Sequence, residues 1–312
     1  TRFGYNWWID YGGGPPSKEK YFFGRNAEPG YTFYERGTVN GERKRDFINA
    51  GDARPLGVII YYLLSDKAKD VSLTILDEDG NEIRTFGKDQ ISTDTFKEIV
   101  GREYGGSPGD GQATAGVGKG LNRFIWDMRY PLVAQIPGRP PVVINPIAKP
   151  GNYQVRLTVD GKSQTESFEL KINPNEKYTR VQTDEKGKAW MALYAQSEKT
   201  VQAILKGLEA KKKATEAAKA NPALKDAAAK VAKVADNFEA SMVSTGTTLV
   251  QIISEPTKPL AFLTSLHNLL EHSEGPPNRP WYQVFEKYAG QIDAQIVEFD
   301  KELAQAMKPF QN

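Results

Sequence analysis

Apolar and polar positions alternate along the middle of the chain. Val71, Leu73 and Ile75 are separated by Ser72 and Thr74, the period-two pattern of a half-buried strand. Asp77-Glu78-Asp79-Gly80 then supplies a turn and Ile83 to Phe86 returns, which predicts a hairpin. Phe124, Trp126 and Met128 alternate with Ile125, Asp127 and Arg129, placing Trp126 in a core. Tyr153, Val155, Leu157 and Val159 form another strand, Asp160-Gly161 a second turn, and Phe168, Leu170 and Ile172 the return. From about residue 181 the period becomes helical. Trp190, Leu193, Ser197, Val201, Ile204 and Leu208 step by three and four, and so do Leu224, Ala227, Val231, Val234, Phe238 and Met242. A third helix starts near Pro259, a residue favoured in a first turn, and carries Leu260, Leu263, Leu266 and Leu270. A fourth carries Tyr282, Phe285, Tyr288, Ile292, Ile296, Phe299, Leu303 and Met307.

These patterns predict an α+β multidomain chain: an antiparallel β-sandwich over 51–175, followed by an up-and-down four-helix bundle over 176–312. Residues 87–120 interrupt the strands. A short helix is expected over Thr93 to Val100, then a Gly-rich surface loop over 101–120. Residues 1–50 lack a clear period yet hold 12 of the chain's 33 aromatics, with a break at Gly12-Gly13-Gly14-Pro15-Pro16. Rings at that density are costly to leave in water, so the segment reads as an extended strap packed along another domain.

Composition narrows the chemistry. The 312 residues fit about two domains at roughly 150 residues each. A net charge of +2 gives no reason to invoke nucleic acid or an anionic membrane. The absence of cysteine excludes disulfides, thiolate metal sites and cysteine nucleophiles. The longest apolar run, Val58 to Leu64, falls far short of the roughly 20 residues of a spanning helix. A start at Thr1 without a basic-then-apolar leader reads as a processed, excised or partial polypeptide.

Candidate chemistry is sparse. Gly116-Val117-Gly118-Lys119-Gly120 fails as a phosphate loop, because Ala113 and Gly120 stand where Gly and Ser or Thr are needed. Asp77, Asp79 and Asn81 resemble part of an acidic calcium loop, but the spacing lacks the Gly and the bidentate Glu that complete one. A hairpin turn explains these residues without an ion, and a weak surface Ca2+ site stays open. The only histidines, His267 and His272, lie five apart and do not share a helix face as ligands. His267 reads as a hydrogen-bonded residue at the bundle margin, and His272 as a solvated one in a last turn. Lys211-Lys212-Lys213 reads as a solvated helix end. Glu98, Glu103, Asp110 and Asp127 are candidate acids for glycoside hydrolysis, which spacing cannot pair. Trp7, Trp8, Tyr11 and Tyr34 are the candidate glycan- or partner-binding rings, with a domain-seam role as the plainer alternative.

Particular strings carry a resemblance. "RNAEPGYTFYERG" (25–37), "GVIIYYLL" (57–64), "VSLTILDEDGNEIRTF" (71–86), "GLNRFIWDMRYP" (120–131) and "KPGNYQVRLTVDGKSQTESFEL" (149–170) resemble the region after the propeller in secreted bacterial BNR-repeat proteins. Those proteins are related to sortilin-type propellers and are often labelled glycosyl hydrolases. "GPPNRPWYQ" (275–283) and "MKPFQN" (307–312) are similar to that family's C-terminal tail. The resemblance implies a fibronectin-III or Ig-like sandwich and a helical bundle downstream of a propeller, at an extracellular, periplasmic or cell-surface location. The BNR motif itself does not occur here, so no catalytic residue carries over. Three readings follow. The first is a non-catalytic accessory region that supports the propeller of the same precursor and binds a protein or polysaccharide. The others are a glycan-active hydrolase, with its activity in the propeller, and a structural subunit of an extracellular assembly.

Overall fold

A computed structural model describes residues 57–88, 114–172, 174, 177–244, 257–273 and 275–311, together with the backbone of 21–23, 32–39 and 42–47. Among the described residues the architecture is α+β, with antiparallel sheets and four α-helices. Strands β1 (Tyr21–Phe23), β2 (Thr32–Val39) and β3 (Glu42–Phe47) form a three-stranded antiparallel sheet within the segment expected as a strap. Strand β4 (Val58–Leu64) pairs antiparallel with β7 (Gly120–Trp126). Strands β5 (Val71–Leu76), β6 (Glu82–Gly87), β8 (Gly151–Val159) and β9 (Lys162–Leu170) make a four-stranded sheet of order β6-β5-β8-β9. The helix expected over Thr93 to Val100 lies outside the described residues.

Both predicted hairpins form, and their turn residues explain why. Asp160 and Gly161 adopt φ of +47° and +84°, the left-handed pair that a two-residue turn requires. The Asp160 carboxylate also accepts the backbone N–H groups of Lys69 and Asp70, at 3.1 and 2.9 Å. At the β5–β6 turn, the Asp77 carboxylate accepts from Asp79 N, Asn81 N and Asn81 Nδ2 at 2.8–3.0 Å.

The chain divides into two compact units. One comprises Thr1–Ile75, Thr85–Met128 and Val155–Glu166; the other comprises Leu76–Arg84, Arg129–Gln154 and Ser167–Asn312. The first unit buries Tyr62, Leu64, Val71, Leu73, Ile75, Phe86, Phe124 and Trp126, with Phe86 and Phe124 rings 4.7 Å apart. Each such side chain taken from water contributes roughly 1.5–3 kcal/mol.

The second unit holds helices α1 (Arg180–Ala220), α2 (Lys225–Met242), α3 (Pro259–His272) and α4 (Arg279–Met307). Thr179 and Gln182 form a reciprocal capping box at the start of α1, and Asn278 caps α4 through Trp281 N. The up-and-down order expected for a bundle does not form. Lys199 pairs with Asp293 and Lys206 with Asp300, so α1 and α4 run parallel. The contacts Lys211–Asp236, Trp190–His267 and Lys186–Ser273 set α2 and then α3 antiparallel to α1, one after the other along its length. The four described helices therefore make three columns, α2 and α3 sharing one. The chain reverses tightly at 221–224. Helix α1 also continues past the lysine run to Ala220, because the Ala-rich stretch favours helix. Lys211 and Lys213 therefore sit within the helix, paired with Asp236 and Glu209.

Residues 129–148 complete this core without regular structure. Val133, Ile136, Val142 and Ile144 share a buried cluster with Trp190, Leu193, Phe238, Leu263 and Phe299. Ala134 N donates to Glu198 on α1 at 2.8 Å, and Arg139 Nε donates to the buried Glu239 on α2 at 2.6 Å. No helix among the described residues is long and apolar enough to cross a membrane.

Candidate interaction surface

Strand β4 reads Val-Ile-Ile-Tyr-Tyr-Leu-Leu, apolar on both faces. The pleat sends alternate side chains to opposite sides. Tyr62 and Leu64 turn inward and are buried, while Ile59, Tyr61 and Leu63 turn outward. Across the ladder Leu63 stands opposite Leu121, and Tyr61 opposite Arg123. The outward side chains are well exposed: Tyr61 at 59%, Leu63 at 73% and Leu121 at 70%. They form a continuous patch on two paired strands, unlike the single apolar residues that any surface shows. Arg123 is exposed at its edge and pairs with no acid among the described residues.

The patch is held rigidly. The Tyr62 hydroxyl donates to Gly116 O at 2.7 Å, and burial pushes its pKa upward. Asn122 Nδ2 donates to Gly118 O at 2.8 Å and Gly120 O at 3.0 Å. A side chain at Gly116 would meet Asn122 Oδ1 at 2.6 Å. The described end of the Gly-rich loop thus braces β4 and β7 through its carbonyls. Lys119 pairs with Asp66, so the Gly-Lys-Gly string here presents its cation to a carboxylate of its own chain.

Of the residues singled out by sequence, Trp7, Trp8 and Tyr11 lie outside the described residues, and Tyr34 is placed only as a backbone position in β2, opposite Tyr21 and Asp46. Glu98, Glu103 and Asp110 also lie outside them, while Asp127 follows β7. Asp77, Asp79 and Asn81 do come together, but the Asp77 carboxylate is occupied by donors of its own turn. Among the described residues no group of three or more His, Asp or Glu side chains could hold a metal. His272 is exposed in the last turn of α3, and His267 is fully buried. Two depressions are open to solvent, one around Glu185, Arg279 and Tyr282, where the Tyr282 hydroxyl donates to Glu185 Oε1 at 3.3 Å, and one around Glu78, Tyr153 and Phe168. The exposed patch was missed by the sequence reading. Its signal was present in the run Val58 to Leu64, a strand without polar alternation, whose face is apolar whichever side is left uncovered. No family model, curated protein or solved structure matches the chain.

Proposed function

We propose that the chain is a non-catalytic interaction region that docks a protein partner on the outer face of β4 and β7. The observation that carries this reading is the contiguous outward set Ile59, Tyr61, Leu63 and Leu121 beside Arg123. Two leucines flanking the tyrosine favour a protein over a sugar, because they offer a glycan no hydrogen bond. The partner presents apolar side chains to the patch and a carboxylate to Arg123. Together with the resembling strings, this supports our reading of the chain as an accessory region of a secreted or cell-surface propeller protein, a reading that takes its β strands as a fibronectin-III or Ig-like sandwich.

Panning a random peptide library against the whole chain tests the reading. Enriched peptides alternate apolar residues, carry an acid, and are lost from Leu63→Lys and Arg123→Glu proteins. Peptides that bind those variants unchanged would overturn the proposal. So would a glycan array on which binding depends on Tyr61 but survives Leu63→Lys.

A further inference from the structure

The segment 129–148 is fastened to α3 at two points, the Asn145 backbone and the Arg129 side chain. Asn145 N–H donates to His267 Nε2 at 3.2 Å, and Asn145 O accepts from Arg129 Nη1 at 3.1 Å. Arg129 also pairs with Glu271 on α3. His267 is fully buried, and Nε2 can accept only while it carries no proton. The proton of the neutral ring therefore sits on Nδ1, which has no hydrogen-bond partner and lies 3.8 Å from Glu271 Oε2.

We infer that His267 is a pH-sensitive latch: protonation of its ring releases the Asn145 backbone from α3. A second proton can go only to Nε2, where it faces the Asn145 N–H, so the fastening bond becomes a contact between two donors. The groups around the ring act in both directions on that state. Glu271, on the same helix, favours the cation but is shared with Arg129, whose own charge opposes it. The Asn268 side chain and the Asn145 backbone also favour the cation. Helix α1 contributes the Trp190 ring, 5.6 Å away, and Lys186, which lies over that ring and donates to Ser273 O. Helix α4 contributes Trp281, whose indole N–H is given to Leu266 O. Burial of the imidazole is the largest influence, and it holds the His267 pKa below its ordinary value.

The sign follows from linkage. A histidine whose folded pKa is depressed stabilises the closed state fully above its unfolded value of about 6.5, and that stability is lost as pH falls toward the folded pKa. Release of one proton-coupled latch becomes about tenfold more frequent per pH unit within that window. The buried side chains next to the latch are Val142 and Ile144, packed among the helices.

Hydrogen exchange between pH 5 and 8, corrected for the intrinsic pH dependence of exchange, tests this on the whole chain. Protection of amides in 140–148 should fall about tenfold per unit below pH 6.5, while amides in 292–303 hold theirs. His267→Gln, whose side-chain oxygen can accept from Asn145 N–H without titrating, should abolish the difference. The same pH response in both proteins would overturn the latch. Should the variant fail to fold, the imidazole resonances of the unmodified protein decide. A His267 signal that titrates while the Asn145 amide stays protected would also overturn it; one that titrates together with loss of that protection supports it.

Discussion

At the scale of single residues, the steric demands are specific enough to test one atom at a time. Gly57 enters β4 at φ +151°, and a Cβ there would lie 2.3 Å from Trp126 O and 2.9 Å from Ile125 Cγ2. Gly57→Ala should therefore destabilise by at least about 2 kcal/mol in urea unfolding. Gly87→Ala, where an added Cβ meets nothing within 4 Å, should stay within about 0.5 kcal/mol. Equal losses at the two sites would show that the β4 entrance is not tightly packed. The β5–β6 turn carries a second residue-scale prediction. Asp77 already accepts three donors within the turn, and a cation would have to displace them. Millimolar Ca2+ should leave the unfolding midpoint unchanged. A rise that Asp77→Asn removes would restore the calcium reading of Asp77, Asp79 and Asn81.

At the scale of elements, two stacked aromatic pairs help join α4 to the column of α2 and α3, Phe299 on Phe238 and Tyr288 on Phe262. Phe299 stacks on Phe238 with ring centroids 4.0 Å apart, and Gly207 on α1 lets the ring approach within 3.1 Å of where a Cβ would stand. Phe299→Ala should cost about 3–5 kcal/mol by urea unfolding. A loss below 1 kcal/mol would mean that the columns close around the cavity or pack loosely. The four helices themselves were legible, because Leu193, Val201, Ile204 and Val231, Phe238 recur at helical steps and are buried as those steps imply. The hairpins were legible from Asp-Gly turns. The order of the columns was not, since periodicity assigns a face to each helix but no direction to its neighbour. Residues 129–148 were equally opaque. Pro131, Pro137, Pro140, Pro141 and Pro146 prevent any period, and the segment is ordered by partners far along the chain, such as Glu239 for Arg139 and His267 for Asn145.

At the scale of the whole molecule, the described residues show sheets and helices built around conventional cores, with their buried polar groups used mainly to fasten segments. Arg139 and Glu239 are a case in point: the ion pair joins an irregular segment to α2, with the Glu239 end buried and the Arg139 end partly exposed. The features that depart from economy are the outward apolar row on β4 and β7 and the buried histidine on α3. The first was hidden in sequence because a strand that is apolar on both faces does not say which face is covered. Tyr61, Leu63 and Leu121 became candidates only once the register with β7 aligned them. Solvation of that row is unfavourable by the same physics that closes the cores, so a partner that covers it gains affinity without remodelling the fold. The most direct test is the affinity of a peptide selected on the unmodified chain, measured by calorimetry against the unmodified, Leu63→Lys and Arg123→Glu proteins. The account predicts at least about tenfold weaker binding to each variant, a loss of about 1.4 kcal/mol, with unfolding midpoints unchanged. Equal affinity for all three proteins would contradict it.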